Sequence, residues 1–110
     1  MGACTFTDFT PKTETITDAK QAFQSAVAEA QYMSGHGGYT GTIAEKRNFK
    51  MATYEARTLK EAYQLANDMI DSDNNPFEDK WGPAGCIQVK ADPDEPQPKE
   101  GWLFFGWASS

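Results

Sequence analysis

Apolar residues recur along this chain in two registers, one helical and one extended, and their alternation lays out the elements. From Thr17 to Ser34 they fall at three- and four-residue steps: Ala19, Ala22, Phe23, Ala26, Val27, Ala30 and Met33. That spacing places them on one face of a helix. Thr17 reads as its N-cap, Asp18 suits the positive helix end, and Gly35 reads as its left-handed terminator. A second helix starts at Thr58, where "TLKE" has the form of a capping box. Its apolar stripe is Leu59, Ala62, Tyr63, Ala66, Met69 and Ile70, and it ends in "DSDNNP", where Pro76 forbids continuation.

Between and around the helices the pattern is extended. Residues 3–9, "ACTFTDF", read as a first strand. Tyr39–Ala44 and Phe49–Tyr54 read as two short strands joined by "EKRN", a hairpin with Phe49 and Met51 on one face and Lys50 and Ala52 on the other. A strand follows from Cys86 to Lys90. "ADPDEPQPKEG" then carries three prolines and four acids and reads as a solvated loop. The last strand, Trp102–Ala108 in "WLFFGWA", is apolar on both faces. That implies a central strand or a face covered by something else.

The chain has an internal likeness. "KQAFQSA" (Lys20–Ala26) resembles "KEAYQLA" (Lys60–Ala66), and "GYTGTIAEK" (Gly38–Lys46) resembles "GPAGCIQVK" (Gly82–Lys90). The expectation is one α+β domain over residues 1–110, built of two α-β-β units at about 17–55 and 58–110. Together they would form a four- to five-stranded antiparallel sheet with both helices on one face, close to ferredoxin-like in element order.

Charge narrows the functions. The net charge of -6 makes nucleic acid and anionic membrane poor partners, because the phosphate term is repulsive. The charge is lopsided: residues 1–55 carry six acids against five bases, residues 56–110 ten against five. An acidic second half suits a basic-surfaced protein partner, although acids also serve simply to keep a small protein soluble. No apolar run reaches membrane-spanning length, and "MGACTFTDF" lacks the basic start and apolar run of a signal peptide. A cytoplasmic setting is expected, with Cys4 and Cys86 as free thiols rather than a disulfide.

The chemistry-bearing stretch is "GHGGYTG", Gly35–Gly41. A phosphate-binding loop would place its glycines after a strand and before a helix; here they follow a helix. His36 and Cys86 could form a nucleophilic pair only if distant loops met, and one histidine with two cysteines makes no zinc set. The glycines therefore read first as architecture, and no catalytic residue, metal or cofactor is assigned. "DKWGPAG" sets Trp81 on a glycine–proline turn, either as a binding anchor or folded over a sheet edge. The candidate binding residues are His36, Tyr39, Thr40, Asp71, Asp73, Glu78, Asp79 and Trp81. A homodimer through a bare sheet face on the last strand is a further expectation.

"GHGGYTGTIAEK", "DKWGPAG" and "WLFFGWAS" together resemble a group of small uncharacterised proteins of bacterial and phage genomes, over roughly Thr17–Ser110. The resemblance implies a cytosolic setting during phage infection, and no catalytic residues. The functional expectation is a non-enzymatic acidic binding protein, in a phage setting an inhibitor of a host protein. The alternative is a small-ligand or nucleotide-binding protein using Gly35–Thr42 with Trp81–Cys86.

Overall fold

The structure is a computed structural model and describes residues 3–34, 42–72 and 82–109. Its elements in chain order are β1 (Ala3–Pro11), α1 (Ala19–Ser34), a 3₁₀ turn (Ile43–Glu45), β2 (Phe49–Met51), α2 (Leu59–Asp71), β3 (Ala84–Val89) and β4 (Gly101–Ser109). The fold is α+β, with a four-stranded sheet in the order β1-β4-β3-β2.

Both helices form where their apolar spacing predicts. In α1, Ala22, Phe23 and Ala26 are buried, with Ala19, Val27 and Ala30 packed beside them. The cap lies one residue later than expected: the Asp18 carboxylate accepts from the Gln21 amide at 2.8 Å. The Gln21 side chain accepts in return from the Thr17 amide at 2.8 Å and its hydroxyl at 2.9 Å. Met33, assigned to the apolar face, is 76% exposed. In α2 the capping box is complete, with the Thr58 hydroxyl accepting from the Glu61 amide and the Glu61 carboxylate reaching back. Gly35 lies outside the described residues.

Among the described residues the predicted hairpin is not formed, and residues 39–41 of its first strand lie outside them. Thr42 caps a single 3₁₀ turn through its hydroxyl, which accepts from the Ala44 amide, and Ile43 is buried against α1. β2 pairs with β3, in parallel, with Phe49 opposite Ala84 and Met51 opposite Cys86. A parallel pair needs a long crossover, and α2 supplies it. Arg57 extends the pairing as an isolated bridge to Val89, its amide donating to Gln88 and its carbonyl accepting from Lys90. The sheet is therefore mixed, not antiparallel. β3 with β4 and β4 with β1 are the antiparallel pairs.

The repeat and the ferredoxin-like order are not confirmed by the described elements. "TIAEK" forms the 3₁₀ turn, whereas its counterpart "CIQVK" runs through β3. Ile43 packs in the core under α1, and Ile87 in the core under α2.

The helices lie on opposite faces of the sheet. Trp102 and Phe104 of β4, with Cys86 and Ala84 of β3, form one core with Ala22, Phe23 and Ala26 of α1. Leu103 and Phe105, with Ile87 and Val89, form the other with Ala62 and Ala66 of α2. Successive side chains of a strand point to opposite faces, so a strand covered on both sides must be apolar throughout. This is the cause of "WLFFGWA". Burying each large apolar side chain contributes roughly 1.5–3 kcal/mol. The bare β4 face invoked for a homodimer is accordingly absent, since each side of Trp102–Phe105 carries a helix.

β1 is an edge strand. The Lys12 amide donates to the Glu100 carbonyl at 2.8 Å, which sets the even-numbered residues of β1 in hydrogen-bonded register with β4. Pro11, opposite Gly101, falls at the alternate position, where its missing N–H breaks no ladder bond.

Candidate functional site

The parallel β2-α2-β3 unit decides where the described flanks of the two candidate segments lie. α1 and α2 each return the chain to the end of the sheet where β2 and β3 begin. Residues 35–41 lie between the end of α1 and the 3₁₀ turn; residues 73–81 lie between the end of α2 and the start of β3. Their described flanks are tied together. The Lys46 ammonium donates to the Gly82 carbonyl oxygen at 2.8 Å, and the Ala84 amide donates to the Asn48 carbonyl oxygen at 3.0 Å. Lys46 is only 4% exposed, unusual for a lysine, and its stem runs through packed surroundings to reach that carbonyl.

Of the predicted site residues, Asp71 is the last residue of α2 and exposed to solvent. His36, Tyr39, Thr40, Asp73, Glu78, Asp79 and Trp81 lie outside the described residues. Asp92, Asp94, Glu95 and Glu100 belong to the β3–β4 connection, at the end of the sheet opposite to Asp71, the last residue of α2.

Cys86 is fully buried, and desolvation pushes its thiol up to about 12. A thiol held neutral at physiological pH is a poor nucleophile, so burial leaves the Cys86 half of the His36–Cys86 pair poorly suited to attack. Cys4 is exposed, and both cysteines are free. Among the described residues no three His, Cys, Asp or Glu side chains come together to hold a metal ion. No described helix is long and apolar enough to cross a membrane.

Two features here escape sequence reading. Lys46 sits in "EKRN", which reads as an exposed turn, yet it is a buried tether. A groove of about 330 Å³ also opens between α1 and β2, lined by Lys20, Phe23, Gln24, Arg47, Asn48 and Phe49. The single signal for the groove is the i, i+3, i+4 spacing of Lys20, Phe23 and Gln24 on α1; its other half depends on where β2 docks.

Compared with protein-family models, curated proteins and solved structures, the chain shows no significant match.

Proposed function

We propose that this is a non-enzymatic acidic binding protein that engages a protein partner through the end of the sheet where β2 and β3 begin. The observation that carries the reading is the Lys46–Gly82 tether, which joins the flanks of the two segments bearing His36, Tyr39, Asp73, Asp79 and Trp81. The described flanks of two segments far apart in sequence are thereby tied together, which suits a recognition surface built from both. The acids of residues 71–79 suit a basic-surfaced partner, and Trp81 supplies an aromatic anchor of the kind that dominates binding energy. The resemblance to small bacterial and phage proteins gives this reading its specific form, a phage-encoded inhibitor that occupies a host protein's site.

The alternative, a nucleotide cradle made of Gly35–Thr42 with Trp81–Cys86, is less well supported. Its second half includes Gly85 and Cys86, which lie within β3, where the Phe105 ring fills the space over Gly85.

Affinity capture from bacterial lysate tests the proposal when wild type is compared with Trp81→Ala and with an Asp73→Lys/Asp79→Lys variant. A bacterial protein retained by wild type, lost from both variants and released by moderate salt fits the reading. Equal retention by the variants, or a salt-insensitive complex, overturns it.

A further inference from the structure

The groove between α1 and β2 combines features that the proposed partner surface does not use. Its floor is aromatic. Phe49 is half-buried, with its ring 5.2 Å from that of Phe23 at 40° and 5.7 Å from that of Phe104 at 77°. Phe23 is in turn held edge-on by Phe104 at 5.6 Å. Phe104 is fully buried, so this three-ring cluster is part of the core and fixes the exposed part of the Phe49 ring in place. β2 is three residues long and ends the sheet, so among the described residues no further strand covers Phe49 from outside.

The rim is cationic. Lys20 projects from the first turn of α1 and Arg47 from the segment entering β2, both exposed. Among the described residues neither makes a hydrogen bond or an ion pair through its side chain. Gln24 and Asn48 add neutral amides between them. In a chain of net charge -6, two cations without a partner among the described residues line one open aromatic platform.

We propose that this groove binds a flat aromatic ring carrying an anionic group, of the size of a mononucleotide. The ring would stack on the exposed face of Phe49, and Lys20 and Arg47 would meet the anion. Arginine suits the role twice, since its planar guanidinium both pairs bidentately with phosphate or carboxylate and stacks on aromatic faces. The volume of about 330 Å³ falls in the range of small-ligand sites, and the short β2 edge offers little ladder for an extended peptide. The rings are already positioned by the core, so binding orders little that is not ordered beforehand.

Amide chemical-shift titration of the full chain with adenosine 5′-monophosphate tests this. Shifts should centre on Lys20, Phe23, Gln24, Asn48 and Phe49. Adenosine, lacking the anion, and ribose 5-phosphate, lacking the ring, should each bind at least about tenfold more weakly. A Lys20→Ala/Arg47→Ala variant should lose at least about tenfold in affinity with its melting temperature unchanged, because both side chains are exposed. Shifts that stay absent at millimolar nucleotide, shifts that map elsewhere on the chain, or undiminished binding by the double variant each overturn the assignment. A hexaglutamate peptide binding the groove more tightly than the nucleotide also overturns it, in favour of an acidic protein segment. Capture of a protein partner through Trp81 is a separate measurement, so either proposal can fail without the other.

Discussion

The ring of Phe105 lies across Gly85 on the neighbouring strand. The two residues are register partners in the β3–β4 ladder, and a methyl group built on Gly85 would overlap the Phe105 ring. Glycine is needed here because the aromatic occupies the space a side chain would take. Gly85→Ala should therefore destabilise by about 1–3 kcal/mol, the range of an overpacked core. Urea denaturation checks this, and a Gly85→Ala/Phe105→Leu variant should recover part of the loss. An unaltered midpoint for Gly85→Ala would contradict the packing described.

The capping box of α2 gives a second expectation. Thr58→Ala removes the acceptor for the Glu61 amide and should cost about 1 kcal/mol at neutral pH. The Glu61 carboxyl is held below its ordinary value, first by the Thr58 hydroxyl, then by the Thr58 amide, with Lys90 and Arg57 contributing. A lowered carboxyl stabilises above its ordinary value of 4.5, and that stabilisation is lost as pH falls through the depressed value. The difference between wild type and Thr58→Ala should thus narrow in acid, as thermal melts across the pH range would show.

Asp8 behaves in the opposite sense. Burial, and then the negative charge of Glu29, hold its carboxyl above the ordinary 3.8. Such a group favours folding fully below 3.8, and that contribution disappears as pH rises through the raised value. Asp8→Asn should accordingly stabilise at neutral pH by a few tenths of a kcal/mol, a modest gain because water screens the pair. The gain should vanish near pH 3. A neutral-pH melting temperature lower than wild type would refute the sign.

The thiols should separate cleanly by reactivity. Cys4 is exposed and Cys86 buried. Ellman's reagent should titrate one thiol in the native protein and both in guanidinium chloride. Rapid native labelling of Cys86 would show that its strand opens to solvent far more readily than the packing allows.

Lys46→Met keeps an unbranched stem of similar length but removes the donor to the Gly82 carbonyl. The loss should be roughly 1–2 kcal/mol. If the tether supports a binding end of the sheet, partner capture should fall in step with increased hydrogen exchange at residues 82–84. Exchange that rises while capture is unaffected would uncouple the tether from binding.

Much of this fold can be read from local patterns. The α1 and α2 stripes, the Thr58–Glu61 box and the two-faced apolar run of β4 are all set by neighbours in sequence, because helix periodicity and capping act over one or two turns. The candidate segments, the glycine run at 35–41 and the acid run at 73–81, lie outside the described residues. The misreadings have a common cause. "TIAEK" and "CIQVK" look alike, but one is bounded by Thr42 and wedged under α1 while the other lies between β2 and β4. The apolar pattern of β4 permits two helices on opposite faces as readily as one helix face and a partner.

The sequence by itself determined the two helices, the strands β1, β3 and β4, and most of the residues those elements bury, since those preferences are local. Only the tertiary structure decided that β2 runs parallel beside β3, that α1 and α2 cover opposite sides, and that Lys46 reaches Gly82. Those outcomes depend on which distant surfaces meet, and short apolar strands fit several pairings equally well until the whole core selects one.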